Sequence, residues 1–339
     1  MVDNTITAQQ VSSLQQILQE SRRVVITCHT APDGDAIGSS LGLMHLLEGM
    51  GKKVDVITPD QPMQSLWFMP GFEKIHAYTM YTDYCLNALK RADTVLCLDY
   101  NAAYRVDKMQ DALLRTTGRR VLIDHHEDPE DFCDLCISYP DMSSTCELVV
   151  RLIFRMGLLS EMSLESATCL YTGMHTDTGG FSYSANNPEL YLILAELMAK
   201  GVNKNQIGIY LAETSESSLR INGYALSHKM QLFPESRASM IALSDDELQE
   251  YNYSKGDTEG LVNMPLRIKS VIWSTFLREE KSKGYVKVSM RSQGDFAVNS
   301  ICEKYFGGGG HKNAAGGEFR GNLEQCIALY NKVVDLYKE

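Results

Sequence analysis

Three apolar segments of this chain each stop abruptly at an ionisable residue, and this pattern constrains the fold more than any other feature. The segments and the residues that follow them are Arg23–Cys28 with His29, Thr94–Leu98 with Asp99, and Val121–Ile123 with Asp124. Short, wholly apolar runs are typical of parallel strands that are buried on both faces. Because ligands bind at the carboxyl ends of strands in open α/β sheets, we expect these polar side chains to meet at one edge of a parallel sheet.

The segments around these runs have the apolar spacing of helices. The predicted helices are 7–20, 37–49, 146–156 and 164–174, and 53–58 is a further predicted strand. A strand, a polar loop and a helix form the first half of a βαβ unit, and this order recurs along the first half of the chain. We therefore predict an α/β domain with a helix-flanked parallel sheet over residues 1–188.

The rest of the chain divides into a helical part and a second, smaller α/β part. Residues 189–225 have a helical apolar pattern interrupted by glycines, and we interpret them as a linker. In residues 226–339 the predicted strands are 238–243, 270–277 and 284–290, the last two forming a hairpin, and the predicted helices are 298–305 and 323–337. This pattern predicts a C-terminal domain with a mixed sheet.

Composition and charge limit the partners and the compartment. A formal net charge of -11 argues against a protein that binds long duplex nucleic acid through a general basic surface. Nine cysteines without a regular framework are typical of reduced thiols, and we interpret the single Cys133-x-x-Cys136 motif as structural. Residues 1–20 do not resemble a signal peptide, and no apolar run reaches the roughly 20 residues of a membrane span. We expect a cytoplasmic protein without membrane attachment; the sequence leaves formation of a homodimer open.

Ionisable side chains gather at the predicted edge of the first sheet. They are His29, Asp33, Asp35, Asp99, His125, His126 and Asp177. Four converging carboxylates repel one another unless cations neutralise them, and two divalent ions carry the matching charge. The sequence therefore predicts a dinuclear metal site. Carboxylate and imidazole donors without thiolate favour Mn²⁺ over Ca²⁺, which prefers all-oxygen sites. Mg²⁺, Zn²⁺ and Fe²⁺ remain alternative metals.

In their order along the chain, these residues resemble the motifs of the DHH phosphoesterase superfamily. The motifs are His29-x-x-x-Asp33-x-Asp35, Asp99 at a strand end, Asp124-His125-His126, and Asp177-Thr178; the pair Arg291-Ser292 and the segment Gly307–Gly317 resemble its associated C-terminal domain. The resemblance covers nearly the whole chain. The length and the two-domain layout are most similar to the nanoRNase group, which hydrolyses very short oligonucleotides and 3′-phosphoadenosine 5′-phosphate (pAp).

The resemblance implies roles for individual residues. His29, Asp33 and Asp99 would hold one metal ion, and Asp35, Asp99, His125 and Asp177 the other, so that Asp99 bridges the two. His126 would face the scissile phosphate. Asp124 would orient the neighbouring imidazoles without binding a metal ion itself. Two such ions lower the pKa of a bound water and stabilise charge on the attacking and leaving oxygens.

A run of four glycines, Gly307–Gly310, precedes His311. Glycines are costly to order and add no side-chain packing, whereas a glycine loop lets backbone N–H groups approach an anion closely. We interpret Gly308, Gly309, Gly310 and His311, with Arg291 and Ser292, as binding a terminal phosphate of the substrate; a flexible tether is the alternative. Arg105 is a further candidate for phosphate contact, with a solvated surface arginine as its alternative.

The resemblance implies a metal-dependent phosphodiesterase that cuts dinucleotide-sized RNA to 5′-mononucleotides and also removes the 3′-phosphate of pAp. In this interpretation the N-terminal domain cleaves the substrate and the C-terminal domain binds its terminal phosphate. The alternatives are cleavage of cyclic dinucleotides and a nucleotide-binding regulator with weak catalysis. The segment Gly307–Gly317 argues against an inorganic pyrophosphatase of the related type, and the acidic charge argues against a processive exonuclease.

Overall fold

The chain divides into two compact units, Met1–Glu213 and Thr214–Glu339. The computed structural model describes residues 5–338. Each unit is an α/β domain built on a six-stranded sheet. The predicted fold class, a parallel-sheet domain followed by a smaller domain with a mixed sheet, is confirmed. The segment predicted as a helical linker, 189–225, contains helices of both units.

The first unit contains a wholly parallel sheet in the order β3-β2-β1-β4-β5-β6. Its strands are β1 (Arg23–Thr27), β2 (Lys53–Thr58), β3 (Ile75–Ala77), β4 (Thr94–Leu98), β5 (Arg119–Asp124) and β6 (Leu135–Ser138). Its helices are α1 (Ala8–Glu20), α2 (Gly34–Gly49), α3 (Thr82–Arg91), α4 (Gln110–Leu114), α5 (Thr145–Arg155), α6 (Leu164–Asp177), α7 (Pro188–Ala199) and α8 (Lys204–Ala212).

Both faces of this sheet are covered, which explains why the middle residues of its central strands are apolar. On one face Ile26, Leu96 and Ile123 pack against α1, α2, α5 and α6. On the other face Val25 and Val95 pack against α3 and α4. The strand order reverses between β1 and β4, and such a switch point is where the carboxyl ends of strands leave room for a ligand.

Two helices differ from the sequence prediction by three residues at one end, and both differences concern site residues. Helix α2 starts at Gly34 rather than at residue 37, because the Asp33 side chain caps it by accepting from the amides of Asp35 and Ala36. Helix α6 continues past residue 174 to Asp177. Asp35 and Asp177 are therefore helical residues rather than loop residues.

The second unit contains a mixed sheet in the order β11-β12-β10-β9-β8-β7. Its strands are β7 (Met230–Phe233), β8 (Ala238–Leu243), β9 (Trp273–Glu280), β10 (Tyr285–Ser292), β11 (Gly309–His311) and β12 (Ala314–Arg320), and its helices are α9 (Glu216–Tyr224), α10 (Asp245–Glu250), α11 (Asn299–Tyr305) and α12 (Leu323–Asp335). The predicted hairpin is confirmed as β9 and β10, which pair antiparallel. Helices α11 and α12 pack on one face of the sheet around Trp273 and Tyr330.

Within residues 5–338, no helix is both long and apolar enough to cross a membrane.

Candidate metal centre

The predicted metal ligands of the first unit meet at the carboxyl edge of its sheet. His29 follows β1, Asp99 follows β4 and His125 follows β5, while α2 supplies Asp35 and the last turn of α6 supplies Asp177. Asp99 has a backbone φ of 63°, in the left-handed region that non-glycine residues rarely occupy. Such strained residues cluster at functional sites, where the surrounding structure holds them in place.

The side chains form two groups that share Asp99. In the first, Nε2 of His29 lies 3.4 Å from Oδ2 of Asp99 and 3.8 Å from Oδ1 of Asp33. In the second, Nε2 of His125 lies 3.6 Å from Oδ1 of Asp99, 3.5 Å from Oδ2 of Asp177 and 3.9 Å from Oδ2 of Asp35. These separations are long for hydrogen bonds, but donors ~2.1 Å from a common ion lie about 3.0–3.5 Å apart. Each group therefore has the size of a metal-ligand set.

The hydrogen bonds of the two imidazoles leave the nitrogens that face the carboxylates able to bind metal. Nδ1 of His29 lies 2.8 Å from the carbonyl oxygen of Thr30, and Nδ1 of His125 lies 3.2 Å from that of Met142. A carbonyl only accepts, so Nδ1 carries the hydrogen in both rings. Nε2 is then the atom with a lone pair when the ring is neutral, as in most metal-binding histidines.

The pKa shifts within the cluster indicate which protons a bound cation would displace. Burial and the charges of Asp99 and Asp177 raise the pKa of Asp35 well above its usual range. Desolvation raises the pKa of Asp177 to about 6; the charge of Asp99 adds to this effect and that of His125 opposes it. Burial disfavours the charged form of His29, but Asp33 and Asp99 outweigh it and raise its pKa to about 11. Without a metal, protons compensate the converging carboxylates, so the donor set fits divalent cations.

His126 contacts the cluster from the side of Asp124. Its Nδ1 lies 2.7 Å from Oδ1 of the buried Asp124 and 3.9 Å from Oδ1 of Asp99. Burial works against the imidazolium, but the hydrogen bond to Asp124 outweighs it and raises the pKa of His126. Asp124 thus fixes the orientation of the His126 ring and favours its protonated form.

One segment that contacts the cluster was not among the predicted site residues. The amides of Thr145 and Cys146 donate to Asp35 at 2.6 and 2.9 Å, and the Thr145 hydroxyl lies 2.9 Å from Oδ1 of Asp99. The sequence showed Ser143-Ser144-Thr145 only as a helix cap, and Ser144 is indeed the N-cap of α5. The contacts to Asp35 and Asp99 are long-range, so the local pattern contained no signal for them.

Arg105 lies beside the cluster, and its positive charge opposes protonation of His126. Its carbonyl accepts from the amide of Thr30, which attaches the segment 103–109 to the loop that carries His29. The Nε atom of Arg105 is buried and has no hydrogen-bond partner, and Arg105 forms no ion pair with the residues described. An arginine in this situation is suited to bind an anion.

The predicted phosphate-binding residues of the second unit lie at the ends of β10 and β11. Arg291 is half-buried, its Nη1 donates to its neighbour Met290, and it has no carboxylate partner within the described chain. Burial lowers its pKa. The Ser292 hydroxyl donates to the carbonyl of Phe296 and accepts from Asn313, so its donor is used within the protein.

The glycine run forms part of a strand pair rather than a loop. Gly309–His311 pairs antiparallel with Ala314, Ala315 and Gly316. A Cβ atom at Gly308 would collide with the carbonyl oxygen of Gly316, and one at Gly310, where φ is 139°, would lie 2.6 Å from that of Ala314. Close strand packing therefore requires glycine at these two positions, whereas Gly309 has room for a methyl group beside Glu303.

Comparison with known proteins agrees with this architecture. The model of the DHH family, N-terminal domain, matches residues 23–174, and the DHHA1 domain model matches residues 239–336. The chain is 32% identical over 317 residues to a protein of Thermus thermophilus named bifunctional oligoribonuclease and PAP phosphatase NrnA, covering 93% of this chain and 89% of the relative.

Two further proteins extend the comparison. The crystal structure of an exopolyphosphatase-related protein from Bacteroides fragilis superposes with a TM-score of 0.96 and 43% identity, covering 99% of this chain and 98% of that one. The cyclic-di-AMP phosphodiesterase GdpP of Bacillus subtilis is 25% identical over 336 residues, which are 96% of this chain but 50% of GdpP. The chain therefore belongs to the DHH family, with a DHH N-terminal domain followed by a DHHA1 domain.

Proposed function

We propose that the protein is a metal-dependent phosphoester hydrolase that cleaves dinucleotide-sized RNA to 5′-mononucleotides and removes the 3′-phosphate of pAp. The observation that carries this proposal is the pair of ligand groups that share Asp99, in a chain that is similar over 93% of its length to an oligoribonuclease and PAP phosphatase. The net charge of -11 agrees with a small substrate held locally rather than a long duplex.

The metal site of this proposal follows from the two groups. His29, Asp33 and Asp99 would hold one ion, and Asp35, His125 and Asp177 the other, which Asp99 would also bind because its Oδ1 lies 3.6 Å from Nε2 of His125. Carboxylate and imidazole donors without thiolate suit Mn²⁺, with Mg²⁺ or another divalent ion as the alternative. When bound, two such ions supply an activated water and neutralise charge on the phosphate.

The neighbouring residues have roles that follow from their contacts. Asp124 holds the His126 ring and favours its protonated form, so that His126 can donate a hydrogen bond or a proton to an oxygen of the scissile phosphate. Arg105, with its unpaired Nε, would bind a non-bridging oxygen of the same phosphate. Both groups are cationic, which matches an anionic substrate.

In the second unit, we propose that Arg291 and His311 bind a terminal phosphate of the substrate. The support for this role is a half-buried guanidinium without a carboxylate partner among the described residues. Strand packing does not require glycine at position 309, and a glycine there would let the phosphate approach the backbone closely. Ser292 would act indirectly, by holding the turn at Phe296.

Cleavage of cyclic dinucleotides is the second candidate function. The match to GdpP, which spans 96% of this chain, favours it. The substrates of the two functions differ in their ends: a linear dinucleotide such as pApA or pGpG carries a terminal phosphate that Arg291 can bind, whereas a cyclic dinucleotide has none.

We also propose a cytoplasmic location, because the nine cysteines are all free, as expected in a reducing compartment.

The experiment is product analysis by chromatography after incubation with Mn²⁺ and, separately, pApA, a longer oligoadenylate, pAp, a cyclic dinucleotide and pyrophosphate. Rapid conversion of pApA to AMP, slow attack on the longer chain and release of phosphate from pAp are expected. Asp177→Asn should abolish these reactions, and Glu165→Gln, at the other end of α6, should not. Consumption of pyrophosphate alone, or of the cyclic compound alone, would contradict the substrate assignment.

A further inference from the structure

Thr145 contacts two carboxylates of the metal centre at once. Its amide donates to Oδ2 of Asp35, and its hydroxyl lies 2.9 Å from Oδ1 of Asp99. An ionised carboxylate only accepts hydrogen bonds, so the hydroxyl is the donor. Both Thr145 and Asp99 are buried.

The two oxygens of Asp99 face different groups. Oδ2 lies nearest His29, whereas Oδ1 faces His125 and receives the Thr145 hydroxyl. A carboxylate shared by two ions can present one oxygen to each of them. The hydrogen bond from Thr145 restricts rotation of the carboxylate and so keeps Oδ1 directed toward the His125 group.

The segment 142–146 serves the His125 group far more than the His29 group. The carbonyl of Met142 fixes the His125 ring, and the amides of Thr145 and Cys146 fix Asp35. The His29 ring is instead held by the carbonyl of Thr30, and Asp33 is held by its cap of α2. Among the described residues, Asp99 is the one ligand of the His29 group that this segment contacts.

We propose that Thr145 is a positioning residue whose hydroxyl orients Asp99 toward the ion of the His125 group. This inference rests on the proposed two-ion centre and extends it. Loss of the hydroxyl should therefore weaken the binding of one ion much more than that of the other. A role limited to fold stability would affect both ions alike.

The test compares Thr145→Val, which keeps the shape and the amide but removes the hydroxyl, with Thr145→Ser, which keeps the hydroxyl. Each is placed in two backgrounds: His29→Gln leaves the His125 group intact, and Asp177→Asn leaves the His29 group intact. Calorimetric titration of the metal-free proteins with Mn²⁺ gives the Kd of the remaining ion, and thermal unfolding followed by circular dichroism shows whether each variant is folded.

We expect Thr145→Val to raise Kd about tenfold or more in the His29→Gln background and to change it little in the Asp177→Asn background. Thr145→Ser should restore binding. If Thr145→Val does not fold, Thr145→Ala removes the same hydroxyl without overpacking and carries the same expectation. Equal losses in both backgrounds, no loss in either, or failure of serine to restore binding would overturn the inference. A wild-type protein that binds no ion would instead overturn the proposed metal centre.

Discussion

Gly38 of α2 and Gly173 of α6 face each other with no room for a side chain between the helices. A Cβ atom at Gly38 would lie 2.6 Å from the carbonyl oxygen of Cys169 and 3.0 Å from Cα of Gly173. The two helices supply Asp35 and Asp177, which both lie within 4 Å of Nε2 of His125. The close approach of the helices therefore sets the spacing of the second ligand group.

Gly38→Ala should push the helices apart, because the atoms it meets are backbone atoms that cannot rotate away. We expect the free energy of unfolding to fall by about 1–3 kcal/mol and Mn²⁺ binding to weaken. Gly49→Ala, in the same helix, is the control, since a Cβ atom there meets nothing within 4 Å. It should be neutral or slightly stabilising. Urea unfolding and metal titration test both; equal effects of the two variants would refute the close-packing argument.

The sequence predicted which side chains gather at the candidate metal centre but not the contacts that hold them. His29, Asp99 and His125 were recognisable because each follows an apolar strand, and parallel strands align their carboxyl ends. The Gly38–Gly173 contact and the Thr145–Asp99 hydrogen bond join residues far apart in the chain, so no local pattern indicates them. The edge strands β3 and β6 have only three and four residues, too few to show a periodicity.

The proton on His29 should make metal binding depend on pH. Because the pKa of His29 in the metal-free protein is about 11, its ring remains protonated through the neutral range and has to lose this proton to bind an ion through Nε2. The affinity for Mn²⁺ should therefore rise by at least about tenfold per pH unit between pH 6.5 and 8.5, because Asp35, whose pKa is also raised, has to lose any proton that it holds. Asp177, with a pKa near 6, adds to the slope only at the lower end of this range.

His29→Gln gives the matched measurement for this prediction. In this variant, the slope of the logarithm of Mn²⁺ affinity against pH should be smaller by one proton than in the wild type. Calorimetry in two buffers of different ionisation enthalpy should show that one proton fewer is released on binding. A wild-type protein that binds Mn²⁺ with equal affinity across this range would show that no proton is displaced from His29.

Arg291 should determine preference for substrates with a terminal phosphate. We expect Arg291→Met to raise KM for pApA by about ten- to a hundredfold, as for loss of one charge-assisted bidentate contact worth about 1.5–3 kcal/mol. KM for ApA, which lacks the phosphate, should be unchanged. Arg320→Met removes an exposed arginine of the neighbouring strand β12 and is the control. Steady-state kinetics measure these KM values. An equal rise in KM for pApA and ApA would exclude a phosphate-specific role.

A buried ion pair stabilises the segment that holds the second ligand group. Nε and Nη2 of Arg151 donate to Oε1 of Glu147 at 2.9 and 2.7 Å, and both side chains are only 1–2% exposed. The other oxygen of Glu147 accepts from the amide and hydroxyl of Ser143. The pair thus fixes the turn between Met142 and Thr145, which contacts His125, Asp35 and Asp99.

Arg151→Met should leave the buried Glu147 without a counter-ion and lower the free energy of unfolding by about 3–5 kcal/mol. Arg220→Met breaks an ion pair of the same i,i+4 spacing, with Glu216, but on the surface, where both side chains are more than half exposed. Its loss should cost about 0.5 kcal/mol or less, because solvent screens the pair. Urea unfolding of the two metal-free variants measures the difference directly. Similar small losses for both would show that the surrounding segment compensates for Arg151, and Mn²⁺ binding by Arg151→Met should then also be unchanged.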